Sequence, residues 1–149
     1  MTAEELWGES GLTGDYEAWA FGGAPDKLAR LVASGIKTAT CSSLELMRYE
    51  GETIPKIGDH SVILNSAGDA VCIIRTTWVY VETFERVTEE HAFKEGEGDK
   101  SLDYWRRIHR EFFTEELGAV GLPFDEGSEL VCEEFQVVYV PDSIEQHRS

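Results

Sequence analysis

Ala70-Val71-Cys72-Ile73-Ile74-Arg75-Thr76-Thr77-Trp78-Val79-Tyr80-Val81 is the stretch whose reading decides the fold. β-Branched and aromatic residues dominate it and no Gly or Pro interrupts it, so it reads as a long strand. Val71, Ile73, Arg75, Thr77 and Val79 fall on one side, and Cys72, Ile74, Thr76, Trp78 and Tyr80 on the other. Both sides are substantially apolar, which suits a small barrel wrapped by helices rather than a sheet with one wet face. Upstream, His60 to Leu64 forms the partner strand of a hairpin across Asn65-Ser66-Ala67-Gly68-Asp69. Downstream, residues 129 to 140 read as a last long strand. The fold class is therefore α+β, with a curled, mainly antiparallel sheet flanked by helices.

The helices announce themselves by their ends. Thr2-Ala3-Glu4-Glu5 fits a capping box. Between Gly14 and Gly23, the run Trp19-Ala20-Phe21-Gly22-Gly23 predicts a second short helix closed by glycine. From Asp26, Leu28, Leu31 and Val32 mark one helical face, and Gly35 is its natural stop. These N-terminal helices occupy about residues 2–34. Lys37 to Ser43 suits a strand, residues 44–50 a short helix ended by Gly51, and Pro55 to Asp59 a turn. Thr88 to Lys94 reads as a short helix and Glu95 to Lys100 as an acidic connection. Ser101 then caps a longer helix with an expected core stripe of Leu102, Trp105, Ile108 and Phe112. No repeat or linker divides the chain, so residues 1–149 are expected to form one domain.

Apolar residues make up 42% of the 149, enough for a packed core. Formal charge is −16, from 29 acids against 13 bases spread along the whole chain. Such a surface repels long polyanions, which depend on clustered Lys and Arg to neutralise phosphates. No apolar run reaches the roughly 18 residues of a membrane span, and the N-terminus lacks the basic head of a signal peptide. Cys41, Cys72 and Cys132 are odd in number and lie in apolar or β-like runs. They read as buried free thiols in a reducing compartment, so the expected location is cytoplasmic.

Chemistry points to Gly35-Ile36-Lys37-Thr38-Ala39-Thr40, where a helix gives way to a strand. A lysine held at such a junction can be partly buried, which lowers its pKa and makes it a base or nucleophile. It can also serve as a cation that steadies an oxyanion. The plain alternative is an exposed lysine past a helix C-terminus, where its charge favours the dipole. Thr40, Thr38 and Ser42 share one face of the predicted strand, whereas Lys37 and Thr40, three apart, would face opposite ways unless the segment bulges. Arg75, mid-strand among apolar neighbours, is expected either to meet a carboxylate or to point into a cleft. Arg106 and Arg110 form a helical basic pair best read as surface. Trp19 and Tyr104 are candidates to stack on a base, with core packing as the ordinary alternative.

The Lys37 segment, the Gly58-Asp59 turn into the hairpin, and Val87-Thr88-Glu89-Glu90-His91-Ala92 together resemble the ASCH domain. Trp19-Ala20-Phe21-Gly22, Glu95-Gly96-Glu97-Gly98-Asp99 and Tyr104-Trp105 resemble its bacterial branch of about this length. The resemblance spans about residues 15–140. It implies a PUA-like barrel with a ligand cleft between barrel and helices, and a nucleic-acid or nucleoside role. Some members hydrolyse the N4-acyl amide of modified cytidines with a lysine, a threonine and a glutamate, which fall on Lys37, Thr40 and Glu95, with Glu97 the rival acid. Others are metal-assisted ribonucleases, and PUA-like domains in general bind RNA.

On this resemblance Lys37 activates Thr40 or a water, and Glu95, its pKa raised by partial burial, shuttles the proton. An acidic solvated loop is the plain alternative for Glu95. Trp19, Thr38, Ser42, Arg75 and Tyr104 complete the expected binding surface. The amide-hydrolysis reading needs no cofactor. The ribonuclease reading needs a divalent metal, for which His91 and Glu95 plus Glu97 or Asp99 are the available ligands. A binding module without turnover is the third reading. The expected partner is a nucleoside or single-stranded RNA, not a membrane and not a long duplex.

Overall fold

The computed structural model describes residues 1–141. Five strands form one sheet in the order β1-β3-β4-β5-β2. These are β1 (Glu17–Ala20), β2 (Ala39–Ser43), β3 (His60–Leu64), β4 (Ala70–Thr83) and β5 (Glu129–Tyr139). The β3–β4, β4–β5 and β2–β5 pairs are antiparallel, and β1 alone runs parallel to its neighbour β3. The long β4–β5 ladder is broken by register shifts at Ile73/Ile74 and Thr76/Trp78. Such irregularities increase local twist, and the sheet curls into a half-barrel.

Helices α1 (Ala3–Ser10), α2 (Pro25–Ala33), α3 (Leu44–Glu50), α4 (Glu89–Glu95) and α5 (Leu102–Gly118) flank it. Thr2 and Glu5 form the expected capping box, and the Ser101 hydroxyl accepts from the Tyr104 amide at the start of α5. Two core clusters position the site. α2 presses Leu28, Ala29 and Val32 onto Ile63, Cys72, Ile74 and Phe135. On the other side α5 presses Trp105 and Phe113 onto Phe84, Leu130 and Cys132. The three cysteines are free, as their setting in strands suggested.

Two elements differ from the sequence reading. The helix expected between Gly14 and Gly23 is strand β1, with Trp19 opposite Ile63. Residues 17–20 are too few for a stable helix alone, and the open edge of β3 supplies backbone partners only to an extended chain. In α5 the fully buried residues are Trp105, Phe113 and Leu117, while Leu102, Ile108 and Phe112 are only half-buried. The buried stripe steps by four and passes through His109. That ring stacks on Trp105 at 4.3 Å and tilts against Phe113 at 5.9 Å.

Candidate active site

The site begins where α2 stops. Gly35 takes a left-handed φ of 81°, and the amides of Ile36 and Lys37 both return to the Leu31 carbonyl at 3.0 Å. The chain then bridges two elements. The Thr38 amide donates to the Lys94 carbonyl at the end of α4, and the Thr38 carbonyl accepts from the Phe135 amide in β5. Lys37 is thereby sent into the interior, 1% exposed, against the C-terminus of α4. Gly96 permits this approach. Its φ is 71°, and a Cβ there would lie 2.5 Å from the Ile36 carbonyl oxygen. Gly98 does the same for Tyr104, whose ring stands where a Cβ would go.

The Lys37 Nζ donates to Glu95 Oε1 at 3.1 Å and to Glu97 Oε2 at 3.0 Å, and lies 5.4 Å from the centre of the Phe21 ring. Glu95, also 1% exposed, is saturated. Its Oε2 accepts from Trp105 Nε1 at 2.7 Å and from His91 Nε2 at 2.6 Å, and its Oε1 lies 3.4 Å from His109 Nε2. Since His91 Nε2–H donates to the carboxylate, its Nδ1 is free to accept from the Tyr80 hydroxyl at 3.3 Å. His109 Nδ1–H donates to the Trp105 carbonyl at 2.8 Å, so a proton on Nε2 makes the ring cationic.

These contacts reverse two expectations about proton affinity. Burial alone would lower the Lys37 pKa, but the Glu95 and Glu97 carboxylates outweigh it and the net shift is upward. Lys37 is held as an ammonium rather than poised as a base. Burial alone would likewise raise Glu95. Lys37 and His109, with hydrogen bonds from the two histidines, overturn that and hold it well below the usual carboxylate range. A carboxylate so stabilised neither gives nor readily takes a proton near neutral pH. His109 is raised, because Glu95 and Glu97 together exceed the cost of its burial.

A cavity of about 970 Å³ opens beside this cluster. Lys37, Thr40, Ser42, Glu95, Trp19 and Tyr104 all line it, as does Glu97. Lys37 and Thr40 share it because regular strand starts only at Ala39, so the alternation that would separate them does not reach Lys37. No hydrogen bond joins the two. Thr38 and Arg75 stand outside. The Thr38 hydroxyl is bound to the Lys94 carbonyl at 3.3 Å, part of the bridge that precedes β2. Arg75 is exposed, with no ion pair among the described residues, because the cavity-facing position of β4 is its neighbour Thr76. Arg106 donates to the carbonyls of Phe84, Glu85 and Val87, and Arg110 pairs with Glu126, so neither serves the cavity.

Three groups escaped the sequence reading. His109 looks polar in a helix otherwise scanned for apolar spacing, and only its place four residues after Trp105 could have flagged it. Thr76 and Glu133 form a second polar point on the cavity wall, the Thr76 hydroxyl donating to Glu133 Oε2 at 2.5 Å. Two triads bring potential metal-ligating atoms within 4.8 Å of one another: Cys41, His91 and Glu95, and Glu95, Glu97 and His109. The expected alternative ligand Asp99 belongs to neither. At the second triad the Lys37 ammonium already stands on both carboxylates, so a metal ion would compete with it for the same oxygens.

A curled half-barrel with helices on its flanks, and a lysine–carboxylate cluster where sheet and helices meet, defines a PUA-like protein of the α+β class. Within that class the chain belongs to the ASCH domain family, whose profile matches residues 17–139. It is similar to an ASCH domain from Lactobacillus crispatus, at 32% identity over 91% of this chain and 93% of the other, with a TM-score of 0.85. It is also similar to protein EF3133 of Enterococcus faecalis, at 38% identity over 93% and 90%, with a TM-score of 0.79. A variant of the Zymomonas mobilis ASCH protein, 12% identical over 89% and 79%, shares the fold at a TM-score of 0.54. No curated protein matches the chain. Family membership points to a nucleic-acid or nucleotide ligand in general. No helix among the described residues is long and apolar enough to cross a membrane.

Proposed function

We propose that this chain hydrolyses the N4-acyl amide of a cytidine-like nucleoside in the cavity between sheet and helices. The observation that carries the reading is the cavity's charge. Eight carboxylate side chains line it against two lysines and no arginine, and one of those lysines, Lys37, is already paired with two of the acids. An RNA strand or a nucleotide phosphate would enter against that field, whereas a neutral nucleoside would not. Lys37 supplies the fixed positive charge that an amide oxygen needs as it becomes an oxyanion. Thr40 is the nucleophile, and Trp19 and Tyr104 offer faces for the base.

The test is incubation with N4-acetylcytidine in the presence of EDTA, with cytidine release followed by chromatography. Wild type should turn the substrate over, and Lys37→Ala should lose at least about 100-fold, the usual effect of removing an oxyanion-stabilising donor. No release by wild type sinks the reading. The triad of Glu95, Glu97 and His109 favours one second reading, metal-assisted cleavage of single-stranded RNA. It predicts activity on RNA that EDTA abolishes and that Lys37→Ala, purified identically, lacks.

A further inference from the structure

The proposed reaction leaves a proton without an acceptor. As Thr40 Oγ1 adds to the acyl carbon it must lose its hydrogen. Lys37 is an ammonium and Glu95 a carboxylate with every lone pair engaged, so neither can take it. The sheet register supplies another candidate. Thr40 and Glu133 are direct partners across the antiparallel β2–β5 pair. Residues so paired share a face, with Cβ atoms about 4.5–5.5 Å apart. That face is the cavity wall, because Thr40, Ser42, Val131 and Glu133 all line the cavity.

We propose that Glu133 is the general base of this site, taking the proton of Thr40 as its oxygen attacks the acyl carbon. The assignment rests on the amide-hydrolysis reading for its substrate, but on the structure for its geometry. Glu133 is only 7% exposed, yet it has no cationic partner among the described residues. Oε2 is fixed by the Thr76 hydroxyl, and Oε1 has no hydrogen bond to any described residue. The Thr40 hydroxyl is likewise uncommitted. Both residues line the cavity, so the oxygen that Thr76 does not hold and the Thr40 hydroxyl are left available to a ligand there.

Proton affinity agrees. Burial raises the Glu133 pKa, the Thr76 hydrogen bond lowers it in part, and the charges of Asp59 before β3 and Glu17 on β1 raise it again, for a net upward shift. A carboxylate moved toward neutral pH is a better base than an ordinary one. The cycle balances as follows. The Thr40 proton passes to Glu133 as the Oγ1–carbon bond forms, and the amide oxygen becomes an oxyanion facing Lys37. Collapse breaks the carbon–nitrogen bond, and the leaving amine takes the proton from Glu133. Water then adds to the threonine ester, giving a proton to Glu133. Expulsion of Oγ1 returns that proton to Thr40 and releases the carboxylic acid.

The test uses p-nitrophenyl acetate, an activated acetyl donor that needs no nucleoside recognition, with acetyl-Thr40 detected by peptide mass spectrometry. In wild type the acetylation rate should rise with pH through one ionisation and then level. Glu133→Gln, which keeps a hydrogen-bonding partner for Thr76, should be at least about 100-fold slower and lose that inflection. Thr76→Val should move the inflection to higher pH, because the bond that lowers the Glu133 pKa is gone, a shift that a purely structural role for Glu133 would not produce. Absence of acetyl-Thr40 in wild type overturns the proposal. So does a Glu133→Gln rate within about threefold of wild type with the same profile. Thr40 acetylation that follows Glu133 in a protein unable to cleave N4-acetylcytidine upholds the base and refutes the substrate.

Discussion

Replacing Lys37 by methionine keeps the chain's bulk and removes its charge, and the consequence follows from what stays behind. Each of its contacts near 3 Å is worth about 5 kcal/mol of gross attraction at an effective dielectric of about 20. Desolvation of the three ions offsets most of that, so the net value of the cluster is small. Removing one partner is different, since it strands the others, at about 3–5 kcal/mol for a buried pair. Glu95 would still hold Trp105, His91 and His109, and Glu97 is 17% exposed and can rehydrate. The lower end, about 3 kcal/mol at pH 7, is therefore expected, or roughly 6–12 °C in Tm for a chain of this size.

The pH dependence carries a sign. The folded Glu95 pKa is depressed, so its stabilisation is present above the ordinary value of 4.5 and is lost as pH falls through the lower folded value. Without Lys37 the folded value lies closer to the ordinary one, so less stability is lost below it. The gap between wild type and variant should be widest near neutrality and should narrow below about pH 4.5, as the Glu95 carboxyl protonates. Urea unfolding at pH 7 and pH 4 measures it. A gap under about 1 kcal/mol at pH 7, the size of an exposed ion pair, or a gap that pH does not change, would refute the ionic description of the cluster.

Gly96→Ala should cost at least about 2 kcal/mol, from a left-handed φ and a Cβ driven into the Ile36 carbonyl. Hydrogen exchange should show it first at the Thr38 amide, which depends on the Lys94 carbonyl. Trp105→Phe should cost about 1.5–3 kcal/mol at pH 7 for the donor lost to ionised Glu95, beyond the change in packing; the double variant with Glu95→Gln should recover part of it in thermal unfolding. The His109 pKa is raised, so its contribution is complete below the ordinary value of 6.5 and is lost as pH rises through the folded value. Wild-type stability should fall across that range in denaturant titrations, and His109→Gln should remove the slope.

The parts of this fold that a sequence discloses are those set by neighbours in the chain. The β3–β4 hairpin, the Gly35 stop and the Ser101 cap each depend on residues a few positions apart, and each stands where local pattern puts it. Strand β1 is invisible to such reasoning because its partner β3 lies far along the chain, and four residues carry no periodicity of their own. Arg75 shows a second limit. With both faces of β4 apolar, alternation divides the strand into two sets without saying which faces the cavity, and Thr76 rather than Arg75 does. Thr38 shows a third, since it was assigned Thr40's face by extending a strand that starts one residue later.

The candidate site divides along the same line. Lys37, Glu95 and Glu97 are grouped by the resemblance to the family, but their protonation is not. Whether a buried lysine is a base or a locked cation depends on how many acids surround it, and here His109 and Trp105 also enter the count from the next helix. The same excess of acid that gives the chain its charge of −16 thus has two opposite local effects. Around Lys37, acids and cations interlock, so the carboxylate at the centre loses its basicity and the lysine keeps its proton. Around Glu133, burial and then the charges of Asp59 and Glu17 outweigh the Thr76 hydrogen bond, so proton affinity rises. Lys37 and Glu133 line one cavity, and on the proposed reading the first is its fixed cation and the second its base, beside Thr40 across the β2–β5 pair.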